Sequence, residues 1–242
     1  GGIFMGEGIA GDHISHLFDK DLEAIKHQAL KMGGLVEMQV ENSLLALLNA
    51  DSVLAEQVAG NDHQINAIEV AIDEECNRII ALRQPAANDL RLVLSMMKTI
   101  TDLERVGDEA EKIGRYAIKL AACAPKKNHL NALQLLGEQV RFMLHSALDA
   151  LARMDSLAAY KTAVLDKQVN NDYDTLVQSL SESLGRDPEL VESTLGILWC
   201  ARSLERIGDH TKNLCEHIVF AEEGRDIRHG LLAKALEDNE DD

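Results

Sequence analysis

The string Leu103-Glu104-Arg105-Val106-Gly107-Asp108 returns 101 residues later as Leu204-Glu205-Arg206-Ile207-Gly208-Asp209, with only Val106 changed. On a helix, Glu104 and Asp108 stand one turn apart on a single face, about 6 Å along the axis. Glu205 and Asp209 do the same. Like charges so placed disfavour a helix by roughly 0.2–0.5 kcal/mol, and an internal glycine costs about 1 kcal/mol against alanine. Both copies keep both costs. Stacked carboxylates supply hard oxygen ligands to a cation, and the glycine lets a second helix or the ion come close. The competing explanation is a solvated acidic face, because Asp108–Lys112 and Glu111–Arg115 have i,i+4 ion-pair spacing. Recurrence of the pair inside an identical frame favours ligands.

A second acidic line, Asp62, Asn66, Glu69 and Asp73, falls on one face of the preceding helical stretch, where an antiparallel bundle can present it to Glu104 and Asp108. The second half is thinner here, with Asp166 and Asn170 followed by Tyr173-Asp174. Asn213 and Glu216 extend the Asp209 face; Asp73 and Glu216 read as ordinary surface. Carboxylate and amide oxygens favour Mg²⁺, Mn²⁺, Ca²⁺ or iron over a structural Zn²⁺, which prefers Cys and His. A ferritin-like di-iron centre requires Glu-x-x-His, which occurs nowhere in the chain. His13/His16 and His210/His217 read as lone surface histidines. With no G-x-S-x-G, Walker A loop, HExxH or Cys–His pair, no enzyme is expected.

The elements that must carry these residues are helices. Apolar residues recur every three to five positions from about Asp12 to Ala50, with Gly33-Gly34 inside the run expected to bend or thin the helix. Asp51-Ser52 offers a break and a cap. A second helix then runs to Leu82, ended by Arg83-Gln84-Pro85, and a third spans about Ala87 to Cys123. Pro125-Lys126-Lys127-Asn128 separates the halves. The second half replays the first: Met32-Gly33-x-x-Val36 matches Leu136-Gly137-x-x-Val140, and Asp62-x-x-Ile65-Asn66 matches Asp166-x-x-Val169-Asn170, both 104 residues on. The offset falls to 101 at the third helix, so the loop before it is shorter. Asp187-Pro188 caps and opens the last helix. The expected fold is all-α, two tandem three-helix bundles related by internal duplication: residues 12–124 and 128–224, with 1–11 a flexible leader or cloning scar and 225–242 a C-terminal tail. Met96, Met97 and Trp199 are assigned to the core. The G-x-G-x-x-G at Gly6, Gly8 and Gly11 has no strand before it and is not a dinucleotide site.

Composition sets outer limits. The chain has 242 residues, 46% hydrophobic and only 3% aromatic, with a formal charge of −17. That balance suits a globular helical protein and argues against nucleic acid or an anionic lipid surface as a partner. Cys76, Cys123, Cys200 and Cys215 form no CxxC pair and read as small apolar residues in a reducing compartment. No run of eighteen apolar residues marks a membrane span, and no signal peptide is evident. The cytoplasm is the expected location.

Two L-E-R-[VI]-G-D strings in a tandem three-helix repeat resemble the PhoU family. Further strings carry the likeness: Met32-Gly33-Gly34-Leu35-Val36-Glu37, Glu69-Val70-Ala71-Ile72-Asp73-Glu74-Glu75-Cys76, Arg83-Gln84-Pro85 with Asp89-Leu90-Arg91-Leu92, and Cys200-Ala201-Arg202-Ser203 before the second motif. The resemblance implies a cytoplasmic all-helical protein, often a homodimer, holding a divalent or multinuclear metal (Mg, Mn, Fe or Zn) at Glu104/Asp108 and Glu205/Asp209. It also implies a negative regulator of the phosphate-starvation response that couples the ATPase subunit of a phosphate ABC transporter to a membrane sensor histidine kinase, meeting the membrane only through these partners. A metal-dependent hydrolase or metal store is the alternative, and a structural dimerisation module a third.

Overall fold

The computed structural model describes residues 7–60, 62–123 and 125–227, without the side chains of residues 7–17, Asp62 and Pro188. Its helices are α1 (Glu7–Leu48), α2 (Ser52–Gly60), α3 (Asp62–Arg83), α4 (Ala87–Ala121), α5 (Lys127–Arg153), α6 (Ser156–Ala163), α7 (Asp166–Arg186) and α8 (Val191–Glu223), the last preceded by a 3₁₀ turn at Pro188–Leu190. Among the described residues there is no strand. Elements α1–α4 and α5–α8 repeat one plan, so the all-α, duplicated reading holds. The middle helix of each bundle differs from expectation, being a short piece and a long one. Helix α1 already includes Gly8 and Gly11 of the expected leader; Gly1–Gly6 and residues 228–242 of the tail lie outside the described residues.

The duplication reaches into the turns. Ala50 and Met154, 104 residues apart, both take left-handed backbone at φ 51°, unusual for residues with a Cβ. Each is followed by a capping aspartate: Asp51 Oδ1 accepts from the Leu54 amide at 3.0 Å, and Asp155 Oδ1 from the Ala158 amide at 2.8 Å. The last helix does not open at Asp187: it starts at Val191 after the 3₁₀ turn, with Leu190 at its N-cap and no side-chain cap, and the Asp187 carboxylate pairs with Lys126 Nζ at 2.6 Å. Helix α8 ends at Gly224, whose φ of 70° needs a glycine.

The halves meet along two antiparallel helix pairs. In one, α1 and α5 are pinned by Glu41–Arg141 and Glu37–His145, both at 2.7 Å. Helix α1 runs unbroken through Gly33-Gly34, and of the two expectations it is the thinning that shows: Gly33 is a notch. A Cβ there would lie 2.5 Å from Leu148 Cδ2, and one on Gly137 would lie 2.8 Å from Leu44 Cδ2. Each half thus offers a notch to the other half's equivalent leucine. The second pair, α4 with α8, makes the most extensive contact in the molecule. Buried side chains from both halves form one continuous core.

Met96 lies in that core and Met97 packs against it, but Trp199 does not: it is 49% exposed and stacks on Tyr116 across α4 and α8 at 6.4 Å. Its place on α8 opposes the solvent edge of α4, a fact the helical period alone does not give. Cys76, Cys200 and Cys215 are buried as expected. Burial pushes the Cys76 thiol up to about 12 and the other two upward as well, which removes them as nucleophiles.

The notch predicts opposite outcomes for adjacent residues. Gly33→Val forces two methyls into Leu148 and is expected to lower stability by about 1–3 kcal/mol. Gly34→Ala faces open space and should raise it by up to about 1 kcal/mol. Urea denaturation of the two variants checks this; equal effects would rule out the notch.

Candidate metal centre

Both motifs sit on the central helices α4 and α8, with Leu103, Val106, Leu204 and Ile207 fully buried. That inward anchoring leaves the Glu and Asp of each motif on the flank where α3 or α7 passes. The motif glycines make the passage possible. A Cβ on Gly107 would lie 3.1 Å from Ile65 Cδ1; on Gly208 it would lie 3.2 Å from Val169 Cγ1 and 3.5 Å from Asp166 Oδ1. Ile65 and Val169 are repeat equivalents, so each glycine receives the first turn of its own α3 or α7.

In the second half this delivers a buried carboxylate to the motif. The Asp166 side chain is 5% exposed. Its Oδ2 accepts from Asn170 Nδ2 at 3.2 Å and from Lys212 Nζ at 3.3 Å, while Oδ1 is buried and accepts no hydrogen bond. The Asn170 Oδ1 is likewise buried and unbonded. Burial, the Asp209 charge and the Asp166 charge hold the Glu205 carboxyl above its ordinary range, against Arg202 and Arg206. Burial and then Asp166 do the same to Asp209, against Lys212, His210 and Arg202. Glu205 and Asp209 therefore each feel the Asp166 charge on top of their own burial. The second half, expected to be the thinner, holds this crowded set.

The first half is arranged differently. The side chain of Asp62 lies outside the described residues. Glu104 and Asp108 are partly buried and share one guanidinium, Arg105, whose Nε is 3.5 Å from Glu104 Oε2 and whose Nη1 is 3.4 Å from Asp108 Oδ2. The expected Asp108–Lys112 pair does not form, since Lys112 turns to Glu109 at 2.8 Å; the Glu111–Arg115 pair does. Glu69 reaches this neighbourhood: burial raises its carboxyl despite a Thr101 hydrogen bond and Arg105, with Asp73 and Asp108 adding to the rise. Asn66 is half-buried on the same helix.

Asn213 belongs to another group. Its amide donates to Asp102 Oδ1 at 3.1 Å. His210 Nδ1 hydrogen-bonds the same oxygen at 2.8 Å, and His217 Nε2 hydrogen-bonds Asp102 Oδ2 at 2.8 Å. The two histidines are thus not lone surface residues but bind α8 to α4. Burial acts to raise the Asp102 carboxyl, yet the His210, His217 and Asn213 hydrogen bonds outweigh it and hold it at about 2. Nothing in the sequence signalled Asp102, because its partners lie more than 100 residues away. Glu216, expected at the surface, is 9% exposed, carried inward by the α4–α8 packing.

The fit to a cation can be judged from these atoms. The donors of the second half are all oxygen, and Asp166 Oδ1 and Asn170 Oδ1 are buried without a hydrogen bond, which suits a hard divalent ion. Among the described residues, no three His, Cys, Asp or Glu side chains already converge as a finished coordination sphere. Glu205 and Asp209 each stand within electrostatic reach of Asp166.

Opposite stability effects follow. A carboxyl whose folded pKa is raised destabilises the fold once pH exceeds that value, so Asp209→Asn should raise Tm at pH 7 in metal-free buffer. Asp102 is the reverse case: its stabilisation is present above about pH 4 and lost as pH falls toward 2, and Asp102→Asn should cost about 2 kcal/mol at pH 7. Thermal melts at pH 7 check both, and a lower Tm for Asp209→Asn would contradict the crowding.

Comparison with known proteins agrees with this architecture. A model of the PhoU domain matches twice, at residues 29–117 and 133–218. The phosphate-specific transport system accessory protein PhoU homolog of Pseudomonas aeruginosa is 45% identical over 228 residues, 94% of each chain. The PhoU protein of Escherichia coli is 45% identical over 217 residues, 90% of each chain. The crystal structure of PhoU from Pseudomonas aeruginosa superposes with a TM-score of 0.84 at 45% identity, covering 86% of this chain and all of the other. That of the phosphate transport system regulatory protein PhoU from Streptococcus pneumoniae gives 0.80 at 31% identity, covering 88% and all of the other. With a duplicated helical body, both motif copies in place and relatives matched nearly end to end, this chain belongs to the PhoU family.

Proposed function

We propose that this chain is a cytoplasmic regulator of phosphate uptake and phosphate-starvation signalling: a metal-binding adaptor between the ATPase subunit of a phosphate ABC transporter and a sensor histidine kinase, holding the phosphate regulon in its inhibited state. The names of the relatives support the phosphate-transport role. The observation that carries the metal-binding part is the buried, unbonded Asp166 Oδ1 beside the crowded Glu205 and Asp209. Glu205, Asp209 and Asp166 would hold the cation in the second half, and Glu104 and Asp108 in the first. A bound divalent ion supplies the positive charge that these carboxylates lack. The side chains do the rest: Gly208 admits α7, Val169 seals the contact, and Asn170 steadies the Asp166 carboxylate.

An adaptor role, not an enzymatic one, agrees with the burial of Cys76, Cys200 and Cys215. A homodimer is favoured by the exposed Met38 and Leu45 of α1 and Leu135 and Phe142 of α5. In this reading the membrane is reached through the partners; no helix among the described residues is long and apolar enough to cross one.

Elemental analysis of the purified protein, combined with capture of the purified transporter ATPase and kinase, tests the proposal. The wild type should carry a divalent metal and retain both partners. Glu205→Gln with Asp209→Asn should lose metal without loss of helicity. A metal-free wild type that captures neither partner would leave only a structural module.

A further inference from the structure

The two motif copies are the same in sequence, yet their arginines do different things. Arg105 stays on its own motif and bridges Glu104 and Asp108. Arg206, its repeat equivalent, leaves its motif and crosses to α4, where its Nε lies 3.1 Å from Glu109 Oε1. The cause lies in one diverged position. Glu109 is 2% exposed and needs counter-charge, which Lys112 and Arg206 supply. The residue 101 positions on is His210, which is not a carboxylate and is already bonded to Asp102. Arg105 therefore has no anion waiting across the interface, and it remains at home.

The consequence for the motif carboxylates is direct. In the first half one guanidinium is shared by the Glu and the Asp. In the second half no side chain bridges the pair. Arg202 touches Glu205 alone at 2.9 Å, Lys212 touches only the outer Asp166 oxygen, and Asp209 makes no salt bridge among the described residues.

We infer that the motif arginines set the order of filling of the two cation sites: Arg105 is a built-in competitor that weakens the first-half site, whereas the capture of Arg206 by Glu109 leaves the second-half site open. The inference rests on the metal-binding reading above and deepens it. Ion pairs made by a half-exposed arginine are individually weak, so removing Arg105 should strengthen cation binding in the first half by roughly tenfold and not by orders more.

Calorimetric titration of EDTA-stripped protein with Mn²⁺ alone, read with Mn²⁺-dependent shifts in Tm, tests this. The wild type should show a tight class of binding that Asp209→Asn abolishes and Asp108→Asn spares. Arg105→Gln, at a half-exposed position where unfolding is not expected, should add a second class or tighten the weak one about tenfold. Glu109→Gln, with folding checked by circular dichroism, should release Arg206 to the second motif and weaken the tight class. Mn²⁺ binding that depends on Asp108, or that ignores Arg105→Gln, would overturn the ordering while leaving metal binding intact. No Mn²⁺ uptake by the wild type or by Arg105→Gln would overturn both.

Discussion

Glu109 carries a charge where almost no water reaches, and both cations that satisfy it come from α4 and α8 together. A charge so buried is tolerated only with partners held in place, and losing one is costly. Asp102 imposes the same demand seven residues earlier, met by His210, Asn213 and His217 of α8. These two carboxylates of the first half, answered from the second, allow α4 and α8 one register. Apolar packing between two long helices would tolerate a one-turn slip far better than these pairings do. The halves are separate in sequence and joined in electrostatics.

That register decides what the motifs can offer. With Leu103, Val106, Leu204 and Ile207 turned inward, the Glu and Asp of each copy must lie on the flank that receives α3 or α7. The glycine between them removes the Cβ that would hold the neighbouring helix away. On the second side, the helix that enters brings Asp166 with it, and crowding follows. Burying these carboxylates so close together is therefore a cost to the fold.

Much of this was legible from spacing. The all-helical body, its duplication, the Asp51 cap and the motif pairs follow from local rules that act within one or two turns. Other features were not. The Gly33-Gly34 pair read as a bend or a thinning, but spacing could not name Leu148, 115 residues away, as the side chain that Gly33 admits. His210 and His217 looked solitary because Asp102 is remote in sequence. The acidic line of the second half looked thin because counting acidic residues does not register burial, and one buried aspartate shifts its neighbours more than several solvated ones.

The sequence by itself determined that two equivalent helical units exist and that each presents a Glu and an Asp one turn apart around a glycine, since helical period and repeat identity are properties of short stretches. Only the tertiary structure decided that the equivalent sites are not equal. Which arginine stays beside its motif depends on whether an anion stands across the α4–α8 contact. That anion is Glu109 for Arg206 and is missing for Arg105, a difference created by packing two halves face to face and invisible in either half alone.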